Sequence, residues 1–113
     1  MSTPCLFCRI ASGEIPAAIV AERESCLAFR DIAPQAPVHV LVIPRVHASS
    51  LNDVSSPSVL ADLLALARDV AQQEGVAESG YRVVVNTNDD GGQSVAHVHL
   101  HVLGGRALRW PPG

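Results

Sequence analysis

The chain has 113 residues, of which 48% are hydrophobic and 17% are charged, as in an ordinary globular protein. A chain of this length can bury one core, so we expect residues 1–113 to form a single domain. The net charge of −3 excludes a broad positive field, and we expect no nucleic-acid partner. Neither a secretion signal nor an apolar run of membrane-spanning length is recognisable, so we expect no membrane association and a cytoplasmic location.

The first part of the chain predicts a short helix followed by three strands. Residues 5–12 can form the helix, which ends near a glycine and before a proline. Residues 18–22 and 26–29 have the pattern of two strands joined in a hairpin. Residues 38–43 are almost all β-branched or aliphatic, which predicts a third strand that the following proline ends.

A long amphipathic helix is predicted over residues 57–74. Ser56 suits the N-cap, Pro57 the first helical position and Gly75 the end of the helix. Apolar residues recur at spacings of three and four, which gives the helix one face that packs on the core. The members of that face are Val59, Leu60, Leu63, Leu64, Ala67, Val70 and Ala71.

The remainder of the chain adds two more strands, residues 81–86 and 95–103, separated by a polar loop over residues 87–94. The tail over residues 104–113 is rich in glycine and proline, and we expect it to be irregular. Five strands, two helices and short connections favour an α+β domain with an antiparallel sheet.

Three histidines alternate with apolar residues in the last predicted strand: His97, His99 and His101. Alternate side chains of a strand point to the same side, so the three imidazoles are predicted to share one face. The apolar residues between them are predicted to cover the opposite face, where the long helix can pack. A row of histidines has little value as core packing, because every ring carries polar nitrogens that need partners.

Two kinds of chemistry fit these histidines. A His-x-His pair on a strand can supply two ligands to zinc. Imidazole is also a good nucleophile towards phosphorus because it is largely unprotonated at neutral pH, and neighbouring imidazoles can donate hydrogen bonds to phosphate oxygens. The loop that precedes them favours phosphate, because its glycines let the backbone approach closely and Gln93 and Ser94 offer donors.

The cysteines raise a separate question about metal binding. Cys5 and Cys8 form a Cys-x-x-Cys pair, which in a reducing compartment indicates metal or redox chemistry before a disulfide. We expect Cys26, which stands alone, to be a small buried apolar residue.

The segment from His97 to Leu103 matches the His-φ-His-φ-His-φ-φ signature of the histidine-triad (HIT) family, where φ is an apolar residue. The resemblance covers essentially the whole chain and points to the Hint branch, through residues 7–16, 27–32, 37–44 and the tail with its Trp-Pro-Pro-Gly ending. It implies a HIT-like fold and a homodimer whose sheet continues across both subunits. It also implies hydrolysis of the P–N or acyl-phosphate bond of purine nucleoside 5'-monophosphate derivatives.

The resemblance also implies individual catalytic roles. His99 corresponds to the nucleophile that forms a covalent nucleotidyl-histidine, and the main-chain carbonyl of His97 corresponds to the group that accepts its Nδ1 proton. His39 and His101 correspond to the histidines on the phosphate side. Ser94 corresponds to the residue that hydrogen-bonds the scissile bridging atom and helps the leaving amine to depart.

The nucleotide-binding residues follow from the same resemblance. Asp31 corresponds to the carboxylate that holds both ribose hydroxyls, and Asn86 and Gln93 to residues that contact ribose and phosphate. An apolar slot for the purine ring is implied at Leu6, Phe7, Ile10, Phe29, Ile32 and Leu41.

Some relatives with a Cys-x-x-Cys pair carry a structural zinc, and the matching ligands here are Cys5, Cys8, His47 and His97. Such a closed Cys2His2 site would brace the N-terminal segment, and we expect no catalytic metal. Two alternative functions stay open: hydrolysis of dinucleoside polyphosphates, and a zinc-stabilised nucleotide-binding or interaction module without significant turnover.

Overall fold

The computed structural model describes residues 5–113. Within this range the chain forms five strands and three helices, together with a 3-10 turn at Leu51–Asp53. In chain order the elements are α1 (Leu6–Ala11), β1 (Ile19–Glu22), β2 (Cys26–Arg30), β3 (Val38–Pro44), α2 (Pro57–Gln73), β4 (Tyr81–Val84), α3 (Asn88–Gly91) and β5 (Leu100–Gly104). None of the described helices is long and apolar enough to cross a membrane.

The strands form one antiparallel sheet in the order β1–β2–β3–β5–β4. The predicted five-stranded antiparallel sheet and α+β class are therefore confirmed. The prediction of two helices is wrong, because α3 adds a single turn inside the segment predicted as a loop. This turn begins at Asn88, which has the left-handed φ of 58°, and it ends at the left-handed Gly92.

Helix α2 confirms the predicted long helix and its N-cap. The Ser56 hydroxyl accepts a hydrogen bond from the Val59 N–H at 3.4 Å, and Pro57 occupies the first turn. The predicted packing face is wrong at one position, since Leu64 is 58% exposed whereas Leu66 is only 2% exposed. The buried face of α2 is therefore rotated slightly from the predicted face, towards Leu66 and away from Leu64.

The two faces of the sheet pack against different helices. Side chains that alternate along β2, β3 and β5 fill the core under α2: Cys26, Ala28, Val40, Val42, Leu100 and Val102. The intervening positions of β2 and β3 form a second core under α1, with Leu27, Phe29, Leu41 and Ile43 packed on Phe7 and Ile10. The predicted burial of Cys26 is confirmed. A polar functional site can therefore lie only on the α1 side of the sheet, because α2 covers the other side.

Strand β5 is shorter than predicted and begins only at Leu100. Before it, the Val98 N–H donates to the carbonyl of Ala48 at 2.8 Å, outside the strand ladder. His97 and His99 therefore precede the strand, so its predicted start is wrong. The three imidazoles still lie on one side, since Phe7 packs on His97 and His99, and His99 packs on His101. The bond to Ala48 ties this segment to the part of the chain that follows β3.

Strand β5 ends in a turn that requires glycine at position 105. Gly105 has a φ of +90°, which side-chain-bearing residues rarely adopt. A Cβ atom on Gly105 would also lie 2.8 Å from the Cβ of Pro37, closer than two carbon atoms can pack. The turn therefore holds β5 close to the loop that precedes β3.

We predict that Gly105→Ala will lower the free energy of unfolding by about 1–3 kcal/mol, through backbone strain and contact with Pro37. Chemical denaturation measures the change. Gly92→Ala is a matched control, since Gly92 shares the positive φ but has open space around its Cβ position. A loss for Gly105→Ala no greater than that for Gly92→Ala would contradict the role of Pro37.

Candidate active site

The imidazole of His99 is buried, and a backbone group fixes its protonation. Its Nδ1 lies 2.8 Å from the main-chain carbonyl of His97. A carbonyl can only accept, so Nδ1 carries a proton, and in the neutral ring Nε2 is the nitrogen with the lone pair. Phe7 packs edge-to-face on this ring, with centroids 5.1 Å apart. The His99 ring is thus held on two sides, by the His97 carbonyl and by Phe7.

A chain of hydrogen bonds fixes the protons on His39 and His101 in the same way. The Gln35 N–H donates to Nδ1 of His39 at 3.0 Å, so His39 carries its proton on Nε2. That Nε2 lies 2.9 Å from Nδ1 of His101, which must accept. Neutral His101 therefore carries its proton on Nε2, as a donor.

The sheet register explains how His39 and His101 meet. His39 pairs with Leu103 and Leu41 pairs with His101, so the two histidines lie diagonally on the same face of β3 and β5. Burial, together with the nearby His99 and His39, lowers the pKa of His101 to about 4. Burial also lowers the pKa of His39, although Asp31 opposes this effect. Both rings are therefore neutral at physiological pH.

A cavity of about 510 Å³ opens beside these histidines. His99 and His101 line it, together with Asp31 and Ser94. The rest of its lining is mostly apolar and includes all six predicted base-slot residues: Leu6, Phe7, Ile10, Phe29, Ile32 and Leu41. The cavity lining thus combines polar side chains with an apolar majority, which is the combination of chemistry that a nucleotide requires.

Asp31 and Ser94 occupy different parts of the cavity wall. Asp31 Oδ1 accepts a hydrogen bond from the Ala33 N–H at 2.8 Å, and Oδ2 lies 3.4 Å from Nε2 of His39. The carboxylate is thus held in place next to the histidine chain. Ser94 is exposed and immediately follows Gln93.

The structure does not bring every predicted residue into the cavity wall. Asn86 and Gln93 lie outside the residues that line the cavity, as does His39, which reaches the site through His101. The Gln93 amide makes three hydrogen bonds to backbone groups. The contact with phosphate predicted for Gln93 would therefore require at least one of these bonds to break.

The four predicted metal ligands lie together on the other side of His97. Nδ1 of His97 is 3.3 Å from Sγ of Cys5, 3.5 Å from Sγ of Cys8 and 3.2 Å from Nδ1 of His47. Sγ of Cys8 also lies 3.3 Å from Nδ1 of His47. All four ligand atoms are within 4.8 Å of one another.

These distances fit a tetrahedral zinc site. Zn–S bonds of about 2.3 Å and Zn–N bonds of about 2.0–2.1 Å place neighbouring ligand atoms about 3.3–3.8 Å apart. The proton on His97 is also in the right place, since Nε2 donates to the Pro44 carbonyl at 2.9 Å and leaves Nδ1 free to coordinate. These four residues could therefore hold a zinc ion without displacing any ligand.

Several residues that shape the site could not be found by matching motifs. Ile15, Pro16, Ala17 and Val95 extend the apolar part of the cavity lining. The groups that fix the histidine protons at Gln35 and Pro44 are main-chain atoms. No side-chain identity reports such a contact, so only the register of the folded chain reveals it.

Comparison with known proteins assigns the family. Residues 12–108 match the HIT domain family. The purine nucleoside phosphoramidase of Escherichia coli K12 is 46% identical over 110 residues, which cover 96% of this chain and 92% of the relative. These matches span nearly all of the fold and the candidate site.

Solved structures give the same family. A HIT family hydrolase from Legionella pneumophila is 56% identical with a TM-score of 0.93, over 96% of this chain and 99% of the other. A zinc-bound histidine-triad family protein from Mycobacterium smegmatis is 34% identical with a TM-score of 0.82, over 91% and 76% respectively. The predicted HIT-like fold is confirmed, and the chain belongs to the HIT domain family.

Proposed function

We propose that this protein is a nucleotide hydrolase that cleaves the P–N or acyl-phosphate bond of purine nucleoside 5'-monophosphate derivatives. The observation that carries the proposal is the hydrogen bond from His99 Nδ1 to the His97 carbonyl, which makes Nε2 the nitrogen with the lone pair in the neutral ring, beside a cavity of nucleotide size. A protein that only bound nucleotide would have no need of this orientation. The name of the Escherichia coli relative supports the choice of substrate.

In the first chemical step, His99 Nε2 attacks phosphorus and forms a new N–P bond. The bond between phosphorus and the leaving amine breaks, and the amine nitrogen takes up one proton from solvent with the help of the Ser94 hydroxyl. The positive charge that develops on His99 is stabilised through Nδ1–H by the His97 carbonyl. Nε2–H of His101 donates a hydrogen bond to a non-bridging phosphate oxygen. Such a bond is strongest where water is excluded.

In the second step, water attacks the same phosphorus and the bond to His99 breaks. The electron pair returns to Nε2, the water oxygen stays on phosphorus, and one water proton is released. The products are the free amine and the nucleoside 5'-monophosphate. The sum of both steps is one hydrolysis, and His99 ends as it began.

The remainder of the substrate fits the remainder of the cavity. The apolar slot between α1 and β2 suits the flat face of a purine, with Phe7 and Phe29 packed edge-to-face at 5.6 Å behind it. The Asp31 carboxylate accepts hydrogen bonds and therefore suits the two ribose hydroxyls. Asn86 and Gln93 lie outside the cavity lining, so we assign neither a direct contact with the substrate.

We also propose that Cys5, Cys8, His47 and His97 hold a structural zinc ion. When bound, the zinc would tie the N-terminal segment and α1 to the segments that carry His47 and His97. His97 uses Nδ1 for the metal cluster and its carbonyl for His99, so the two sites meet in one residue without competing for an atom.

We also propose that the protein forms a homodimer whose sheet continues across both subunits. Strand β4 ends the sheet, and its outer edge offers unpaired backbone groups. Leu64 of α2 is exposed although it is apolar. A second subunit would cover both features.

We predict that His99→Ala will reduce turnover of an adenosine 5'-phosphoramidate by about 10⁴-fold or more, because the nucleophile is lost. Amine release measures turnover, and calorimetry with adenosine 5'-monophosphate checks that binding persists. Diadenosine polyphosphates, assayed in parallel, test the alternative hydrolase activity. Retained amine release by the variant, or none by folded wild type, would contradict the proposal.

We predict that the protein, purified without chelators, will contain about one zinc ion per chain. Cys8→Ser should lose the zinc and unfold several degrees lower, while turnover changes little. Cys26→Ser is the matched control for metal content, since this thiol lies in the core under α2 and outside the ligand cluster, so the variant should keep its zinc. Wild type without zinc in elemental analysis would contradict the assignment.

We predict that stability will fall as the pH falls from about 6.5 to 4, partly through His101. In this window an unfolded histidine binds a proton that folded His101, with a pKa of about 4, does not bind. His101→Gln should flatten the pH dependence by on the order of 2 kcal/mol, allowing for partial exposure. Denaturation at several pH values measures both proteins, and parallel curves would contradict this origin.

A further inference from the structure

The polar segment over residues 88–95, here called the strap, carries Ser94 to the mouth of the cavity. Ser94 and Val95 line the cavity, whereas Gln93 does not. Ser94 has a short side chain, so the position of its hydroxyl depends on where the backbone of the strap lies. Whatever holds that backbone therefore controls the hydroxyl.

The Gln93 side chain joins parts of the strap to one another and to the rest of the molecule. Its Oε1 accepts the Asn88 N–H at 2.9 Å. Its Nε2 donates to the carbonyl of Val95 at 2.9 Å and to the carbonyl of Ser49 at 2.6 Å. One amide group thus binds three backbone positions and uses its oxygen and both of its N–H groups.

The bond from Gln93 to Val95 closes a ring around Ser94. The ring fixes the backbone on both sides of Ser94, because the two bonded residues are its chain neighbours. The bond to Ser49 anchors the ring to the segment that follows β3. This segment also holds the next part of the chain, since the Ala48 carbonyl accepts the Val98 N–H at 2.8 Å.

Gln93 also stabilises the unusual start of α3. Asn88 has a φ of 58°, a left-handed conformation that costs a non-glycine residue free energy unless its surroundings hold it. Asn88 and Gln93 bond reciprocally: the Gln93 N–H donates to the Asn88 carbonyl at 3.1 Å, and the Asn88 N–H donates to Gln93 Oε1. The turn and the ring around Ser94 therefore share one side chain.

We propose that Gln93 is a positioning residue that holds the Ser94 hydroxyl at the bond to be cleaved. This inference rests on the proposed function, in which Ser94 assists the departing amine. It differs from a contact between Gln93 and phosphate, because the Gln93 amide acts only through the strap. Its loss should slow the step in which the amine departs and should leave nucleotide binding unchanged.

The test compares Gln93→Ala with Ser94→Ala, the Gln93→Ala/Ser94→Ala double variant and Gln73→Ala. Gln73→Ala is the matched control, since Gln73 donates to the Val20 carbonyl at 2.8 Å and neither residue lines the cavity. Two adenosine 5'-phosphoramidates serve as substrates, one releasing an alkylamine and one releasing an arylamine, which is the better leaving group. Adenosine 5'-monophosphate affinity and thermal unfolding are measured for every variant.

Gln93→Ala should lower kcat/KM about 10-fold for the alkylamine substrate and less than about 2-fold for the arylamine substrate. The double variant should be no slower than Ser94→Ala, because both changes remove one function. Gln73→Ala should match wild type on both substrates. Equal losses on the two substrates, additive losses in the double variant or weakened monophosphate binding would overturn the proposal.

Amide hydrogen exchange separates failure of this inference from failure of the proposed function. The Asn88 N–H should exchange faster in Gln93→Ala, which removes its acceptor, and at the wild-type rate in Gln73→Ala. If wild type hydrolyses neither substrate, the proposed function and the catalytic role of Gln93 both fall, whatever the exchange rates. If wild type is active and the Asn88 exchange is unchanged in Gln93→Ala, only the positioning role of Gln93 is overturned.

Discussion

The site depends on the hydrogen bonds of one buried residue, His97. Its Nε2–H donates to the Pro44 carbonyl, its Nδ1 faces three potential metal ligands, and its own carbonyl accepts the Nδ1 proton of His99. These three contacts join the end of β3, the N-terminal cysteines and the start of β5. A shift of the His97 backbone would therefore disturb the metal cluster and the orientation of His99 together.

Backbone groups fix the protonation of the neighbouring imidazoles as well. Carbonyls select the tautomers of His97 and His99, and the Gln35 N–H selects that of His39, which then selects that of His101. Because burial lowers the pKa of His39, His97 and His101, these rings stay neutral at physiological pH. The hydrogen bonds thus leave Nε2 of neutral His99 as an acceptor and Nε2–H of neutral His101 as a donor.

Much of the fold could be predicted from local signals. Ser56, Pro57 and Gly75 mark the ends of α2, and the alternation of apolar residues marks the strands and both faces of the sheet. The start of β5 could not be predicted, because the bond from Val98 to Ala48 is a tertiary contact between segments 50 residues apart in sequence. Helix α3 was missed for a related reason, since it depends on the Gln93 amide and on a left-handed Asn88.

The site was predictable where the chemistry lies in side chains. The family resemblance indicated His99, His101, Asp31 and Ser94 as site residues, and all four line one cavity. The cysteine pair indicated the metal cluster. The prediction was weaker where a side chain has several plausible partners. Gln93 offers the same donors to a phosphate as to a carbonyl, and only the fold shows which groups lie within reach.

The stereochemical course at phosphorus tests the central claim most directly. A P-chiral adenosine 5'-phosphoramidothioate would be hydrolysed in ¹⁸O-labelled water, and the configuration of the thiophosphate product determined. Attack by His99 followed by attack by water inverts phosphorus twice, so the covalent route predicts net retention. Net inversion would mean that water displaces the amine directly, and it would contradict His99 as the covalent nucleophile.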